Sequence, residues 1–449
     1  MGSEWSETTL GDIALGTDGA VDGPFGSNLP ASAYTENGYP IIRGSNLSVG
    51  LDDFKDHEFV YVPEEVFQRL SRSECKAGDI IFTKKGTLGQ TGLIRSEHRF
   101  DRYLLSSNQM RLRVDPSKAL PEYVYYWVSS QKAINKLIKD SECTGVPKIN
   151  LAYLKSFPIS LPDLGTQKSI VDVLGALNKK ITLNRQINQT LEQMAQTLFK
   201  SWFVDFDPVI DNALDAGNPI PDELQHRIEA RKAVRESEGF KLLPDEVRQL
   251  FPDAFEESEL GWVPKGWEIK HLNSISNITY GKNLPKSKIL DNGYPVYGGN
   301  GIIGAYERYL YEKPQVLISC RGAASGKVHW TKPFSFVTNN SLVIEERNVN
   351  SDFLYYSLLQ QDLTSLTSGS AQPQMTIANL NPVQVLVPEQ LLISEFSKHA
   401  QMLMVRCEAK SSECESLTKL RDTLLPKLIS GELRLDDAEA VVEQETVDA

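Results

Sequence analysis

The sequence predicts an α/β (α+β) chain with two similar globular domains, each closed by a long helix. Three observations carry this reading. One ordered series of landmarks occurs twice, short β-branched runs lie between turn residues, and two long proline-poor segments have helical apolar spacing. The 449 residues allow two to four domains, and 41% hydrophobic with 24% charged residues is a globular balance.

The duplication starts at Trp5, which returns as Trp267 at an offset of 262. Asn37-Gly38-Tyr39-Pro40 returns as Asn292-Gly293-Tyr294-Pro295 at 255, and Lys84-Lys85-Gly86 as Cys320-Arg321-Gly322 at 236. Ser107-Asn108 matches Thr338-Asn339 at 231, Tyr125-Tyr126 matches Tyr355-Tyr356 at 230, and Pro147 matches Pro373 at 226. The offset only falls, so the second copy has lost about 36 residues, the fall from 262 to 226.

Along the first copy, Tyr39–Arg43, Asp79–Thr83 and Gln109–Val114 read as strands between turn signals. Glu122–Ile138 reads as one helix, with the tyrosine pair as core residues on it. Thr166–Phe203 has no proline and places Ile170, Val173, Leu174, Leu177, Ile181, Ile187, Leu191, Met194 and Leu198 mostly three or four apart. That is a coiled-coil-like seam on a helix of roughly 57 Å. Residues 205–262 read as a structured connector with a short helix over Asp222–Glu238. In the second copy Val316–Ser319 and Ser341–Glu345 are strands and Asp352–Gln361 a helix. After Pro388, the residues Ile393, Phe396, Ala400, Leu403, Cys407, Leu417, Leu420 and Leu424 form the matching seam, ending near Pro426. The predicted division is a first globular domain at 1–160, a long helix at 161–204, a connector at 205–262, a second globular domain at 263–388, a long helix at 389–431 and an acidic tail at 432–449.

The net charge of −12 is unevenly spread: residues 205–260 carry −9 and the tail −6. The rest is near neutral, which permits a local basic face. No apolar run approaches the ~18 residues of a membrane span, and the first residues lack a basic-then-apolar leader. The five cysteines are scattered with no C-x-x-C. Together these favour a cytoplasmic protein with reduced thiols.

Several chemistries fail on spacing. Gly299-Asn300-Gly301-Ile302-Ile303-Gly304 fits G-x-G-x-x-G but is followed by strand-like residues, whereas a dinucleotide site needs a helix there. Gly322–Lys327 lacks the length and the hydroxyl of a phosphate loop. Asn218-Pro219-Ile220 and Asn381-Pro382-Val383 lack the second proline of an adenine-methyltransferase loop. Asp222, Glu229 and Lys232 only loosely imitate a nuclease centre. The six histidines show neither metal-ligand spacing nor a nucleophile beside them. A binding protein with no catalytic residue, no metal site and no cofactor of its own is the leading expectation. A fused DNA methyltransferase or nuclease, and a two-module peptide-binding adaptor, are the alternatives.

The residues best suited to DNA recur in both copies. Lys84, Lys85 and Gly86, and in the second copy Arg321, Gly322 and Lys327, form glycine loops that bring cations and backbone amides near phosphate. Asn108, Gln109, Asn339 and Asn340 offer amides that can pair with adenine edges or instead fix a turn. Arg43, Lys148 and Gln374 are further candidates.

These residues resemble the specificity subunit of type I restriction–modification systems. The resemblance rests on the duplicated Pro147…Leu154-Lys155 and Pro373…Leu380-Asn381 segments before each long helix. It rests also on Phe199–Pro208, Ser258–Trp267 and Leu425–Leu433. It implies two target-recognition domains, each reading half of an asymmetric bipartite site in double-stranded DNA. The long helices, with Ile170, Leu174, Leu177, Ile181, Leu191, Leu198, Phe396, Leu403, Leu417 and Leu424 in their seams, would pack antiparallel as spacer. They would also dock methyltransferase subunits, expected to be two, and restriction subunits would join through the complex. S-adenosylmethionine, ATP and Mg would be bound by those partners. Two modules on stiff helices suit half-sites about one turn of DNA (~34 Å) apart.

Overall fold

The computed structural model describes residues 5–52, 54–141, 147–369 and 373–433. The chain forms two compact units, one from 1–185 with 411–449 and one from 186–410. The strands of the first unit are β1 (Ser6–Thr9), β2 (Ala20–Asp22), β3 (Tyr39–Ile42), β4 (Ser48–Val49), β5 (Val60–Val62), β6 (Glu74–Cys75), β7 (Asp79–Thr83), β8 (Gln90–Leu93), β9 (Tyr103–Leu105), β10 (Gln109–Arg113) and β11 (Pro158–Leu161). Its short helices are α1 (Glu64–Arg69), α2 (Pro121–Val128), α3 (Gln131–Asp140) and α4 (Leu151–Ser156). The long helix α5 (Leu164–Phe203) runs on from it into the second unit.

The second unit begins with the connector: α6 (Asp207–Ala216), α7 (Gln225–Arg235), α8 (Asp245–Arg248) and the hairpin β12 (Phe255–Ser258) with β13 (Gly261–Pro264). Its head holds β14 (Glu268–His271), α9 (Leu272–Ile275), β15 (Ser276–Tyr280), β16 (Tyr294–Gly298), β17 (Gly301–Tyr306), β18 (Val316–Ser319), β19 (Val328–Trp330), β20 (Phe336–Val337), β21 (Ser341–Glu346), α10 (Ser351–Leu359), α11 (Ile377–Leu380) and β22 (Gln384–Val387). The second long helix, α12, spans Gln390–Ile429.

Both heads have one topology. β1 pairs with β11 in one, β14 with β22 in the other. The main sheets run β2-β10-β7-β8-β4 and β15-β21-β18-β19. A smaller sheet follows in each, β5-β3-β9-β6 and β17-β16-β20, with one parallel pair at the same place, β3 with β9 and β16 with β20. The first head's extra strands β4 and β6 and helix α1 account for part of its greater length. Both central strands are apolar runs buried on two faces. Ile80 and Phe82 pack with Tyr123 and Tyr126 of α2, while Ile81 packs with Ile42 and Tyr103. Val316 and Ile318 pack with Phe353 and Tyr356 of α10, while Leu317 packs with Tyr297 and Val337. Each such side chain contributes about 1.5–3 kcal/mol by leaving water.

The repeated Asn-Gly-Tyr-Pro has a steric cause. Gly38 and Gly293 have φ of 134° and 135°, and an added Cβ would strike the carbonyl of Val62 or Tyr306 on the paired strand. Gly38→Ala and Gly293→Ala should each cost about 1–3 kcal/mol through backbone strain. The urea midpoint of the affected unit reads this, and an unchanged midpoint would mean the turn relaxes freely.

Within each unit the long helices pair antiparallel. In the first, the Cys414 thiol donates to Ile181 O at 3.6 Å and Arg421 donates to Asn178 Oδ1 at 3.0 Å. In the second, the Cys407 thiol donates to Asn188 O at 3.8 Å. Ile170, Leu174, Leu177, Ile181, Leu191, Phe396, Leu403, Leu417 and Leu424 are buried, and Leu198 is half-buried. The seam differs from its prediction at Met194, which is 53% exposed; Ala195 and Phe199 take the inward positions. Phe199 and Trp202 join Phe203, Phe353 and Phe396 in an aromatic cluster, so the larger rings set the helix's rotation there.

Three element boundaries are corrected. The single helix expected over Glu122–Ile138 is two, because Ser130 caps a new start by accepting from Ala133 N at 3.3 Å. The second long helix passes through Pro426, its last turn held by buried Leu424, Leu425, Leu428 and Ile429. It stops at Gly431 (φ 74°), with Glu432 N donating to Lys427 O at 3.0 Å and Gly431 N to Leu428 O at 3.2 Å, a glycine-terminated cap. The repeat register also shifts by one residue near Asn108. Lys84 N donates to Asn108 O and Cys320 N to Asn340 O, so Asn108 corresponds to Asn340 and not to Asn339. Among the described residues no helix is long and apolar enough to cross a membrane. Cys143 lies outside the described residues; among the described residues Cys75, Cys320, Cys407 and Cys414 form no disulfide.

Candidate nucleic-acid interface

In the first head, the loop after β7 is tied down by its backbone. Lys84 N donates to Asn108 O at 2.8 Å, Lys84 O accepts from Ile149 N at 2.9 Å, and Gly86 N donates to Pro147 O at 3.4 Å. Lys85 and Lys148 form an antiparallel bridge and are both exposed, so two cations stand side by side. Gly86, at φ 108°, makes the turn that lets them do so. Asn108 is exposed on the adjoining turn.

The second head repeats this frame. Cys320 N donates to Asn340 O at 2.9 Å, Cys320 O accepts from Met375 N at 3.1 Å, and Gly322 N donates to Pro373 O at 3.1 Å. Arg321 bridges Gln374 where Lys85 bridges Lys148, and both side chains are exposed. Arg321, Gly322, Lys327, Asn340 and Gln374 meet Gly299 and Asn300 around a groove of about 810 Å³. Among the described residues, no carboxylate lies within salt-bridge distance of Lys85, Lys148, Arg321 or Lys327. Exposed cations of this kind stay hydrated until a phosphate approaches.

The remaining candidates serve the frame itself. Lys84 Nζ lies 3.1 Å from Asp22 Oδ1, and the lysine is half-buried. Cys320 stands at the corresponding place; burial pushes its thiol up, so that position carries no charge. Gln109 is 1% exposed and accepts from the Ser106 hydroxyl, the turn-fixing role an amide can also play. Arg43 donates to Glu58 O at 3.4 Å and is half-buried. Asn339 is half-buried, and its backbone N donates to Lys282 O at 3.1 Å.

Two features escaped the sequence reading. Gly299 and Asn300 form the tip of the β16–β17 hairpin and line the groove. Asn300-Gly301 between apolar runs is a hairpin signal that the G-x-G-x-x-G pattern masked. Gly23 and Gly281 sit where an added Cβ would strike the backbone of the turns before β10 and β21, so both turns rest on a glycine. Only the register of the sheets reveals that these two glycines correspond.

The nuclease-like Asp222, Glu229 and Lys232 are exposed on and beside α7. Among the described residues no group of three or more His, Cys, Asp or Glu is placed to hold a metal ion.

The family model for the "Type I restriction modification DNA specificity domain" matches residues 3–193 and again 264–398, one match to each head with its adjoining helix. The chain belongs to this family. It is 28% identical to the HindI specificity subunit of Haemophilus influenzae, over 96% of this chain and 100% of that protein. It is 22% identical to the MjaIX specificity subunit of Methanocaldococcus jannaschii, over 97% and 98% of the two chains. In fold it is similar to the type I restriction–modification S subunit from M. genitalium, with a TM-score of 0.55 and 18% identity across 95% of this chain and 96% of that one. The double match to the specificity-domain family agrees with the duplicated topology of the heads.

Proposed function

We propose that this chain is the DNA sequence-specificity subunit of a type I restriction–modification complex, with no catalysis of its own. Each head reads one half of an asymmetric bipartite target in double-stranded DNA. The observation that carries this is the same hydrogen-bonded loop frame in both heads, with an exposed cation at one matching position (Lys85, Arg321), an asparagine at another (Asn108, Asn340), and Lys148 answered by Gln374 at a third. Lys85 and Lys148, or Arg321 and Lys327, would hold phosphate, while Asn108, Asn340 and Gln374 would meet base edges. Different side chains on one frame imply different half-sites.

The 40-residue helices α5 and α12 would set the half-site spacing and receive two methyltransferase subunits, with restriction subunits joining through these. S-adenosylmethionine, ATP and Mg would belong to those partners. The near-neutral body makes DNA affinity depend on their surfaces as well. Exchanging residues 1–150 for those of a relative should change one half-site of the methylated sequence and leave the other intact. Sequencing modified adenines in cells carrying the hybrid tests this. A change in both halves, or in neither, would refute the assignment of one head to one half-site.

A further inference from the structure

Phe25 is the most exposed large apolar side chain among the described residues, at 81%. A lone exposed apolar residue is ordinary on a protein surface. This one is distinguished by how it is held. Its loop leaves β2 at Gly23, whose N–H donates to Gln109 O at 2.9 Å. Pro24 restricts the backbone before it, and Phe25 is itself relaxed at φ −58° and ψ 145°. Asn28 N closes a turn on Phe25 O at 2.8 Å, and Leu29 is buried against Ile41, Val62 and Phe67. The loop is therefore pinned at both ends with the ring at its apex.

Charges of both signs border the loop. Lys84 is ion-paired with Asp22 just before it, and Arg69 Nη2 donates to Asn28 O at 3.3 Å within its turn. Asp22 and Thr83 both pair onto the start of β10, so the loop leaves from the sheet end that carries Lys85 and Asn108. The second head has Lys282 after Gly281 in place of this extension, and Lys282 N returns directly to Val337 O at 2.9 Å. A rigid phenyl ring leaving the sheet end that carries exposed Lys85 and Asn108 fits a base stack bordered by phosphates better than it fits an apolar protein surface.

Resting on the DNA-binding reading above, we propose that Phe25 is a specificity-determining wedge. It inserts between adjacent base pairs of the half-site read by the first head and unstacks that step. The second head has no counterpart, so the distortion is confined to one half-site. Easily unstacked pyrimidine–purine steps would be favoured at the insertion point.

The test uses the full chain assembled with its methyltransferase subunits on the mapped target duplex, with 2-aminopurine placed at successive positions. The wild-type complex should raise fluorescence several-fold at one step of the first head's half-site. F25A should abolish that rise and weaken binding about ten- to a hundredfold, the range for loss of one base–aromatic stack. F25W should retain both. K85A should weaken binding yet keep the fluorescence rise at saturation. If F25A binds and fluoresces as wild type while K85A weakens binding, the wedge is refuted and the DNA reading stands. If neither substitution affects binding, the DNA reading fails with it. Release of the methyltransferase subunits by F25A would make the ring a protein contact and overturn the wedge.

Discussion

Replacing Lys85, Lys148, Arg321 and Lys327 together by alanine should weaken DNA binding by the assembled complex on the order of a hundredfold at physiological salt. All four are exposed, and among the described residues none has a carboxylate within salt-bridge distance. Their removal therefore breaks no internal ion pair, and the loss reports on the ligand rather than the fold. The diagnostic is the salt dependence. A cation on phosphate releases about one counterion, so the log–log slope should become shallower by about 3–4 for the quadruple variant. The Lys85/Lys148 and Arg321/Lys327 pairs should each account for about half. The loss should be similar for specific and non-specific duplexes, because phosphate carries no sequence. An unchanged slope with normal folding would remove the glycine loops from the DNA interface.

Asp79→Ala should produce the largest stability loss, about 3 kcal/mol or more in the first unit. The Asp79 carboxylate is fully buried and takes Arg113 Nε and Nη2 at 2.7 Å each, with Lys76 N donating to Oδ2 at 2.8 Å. Removing it leaves a partly buried guanidinium without its partner and an N–H without its acceptor. Arg113 keeps a quarter of its side chain in water, which holds the loss to the lower part of the range for broken buried pairs. Hydrogen exchange should show earlier opening of β7 and β10 with the second unit's sheets unchanged. Asp79→Asn, which keeps an acceptor for Lys76 N, should cost less. Equal protection in the alanine variant and the wild type would show that the pair adds nothing net. Denaturation of a two-unit chain is not a single two-state event, so local exchange is the better measure.

The duplication was legible because structural necessity preserves its landmarks. Asn-Gly-Tyr-Pro survives in both copies because Gly38 and Gly293 face a carbonyl on the neighbouring strand. The central strands Asp79–Thr83 and Val316–Ser319 were readable as apolar runs because both of their faces are buried. The long helices were legible from spacing alone, except where bulk outweighed period: Phe199 turned inward and Met194 outward. The break at Ser129 and Ser130 escaped because an apolar period continues across it while one hydroxyl cap ends it.

The site divided in the same way. Residue type and repetition marked Lys85, Lys148, Arg321 and Gln374, and backbone pairing brings each couple together. Residue type could not separate Gln109, turned into the core, from Asn108, one residue earlier and exposed, because Asn108 lies on the turn and Gln109 opens the buried strand, a boundary that only the pairing of Gln109 with Thr83 sets. By itself the sequence determined two copies of one head, their long helices and the chemical character of their loops, since periodicity and steric need are local. The tertiary structure alone decided which cations stay free, that Asn108 answers to Asn340, and that the Phe25 loop leaves the sheet end that carries Lys85 and Asn108, since each depends on contacts between residues far apart in the chain.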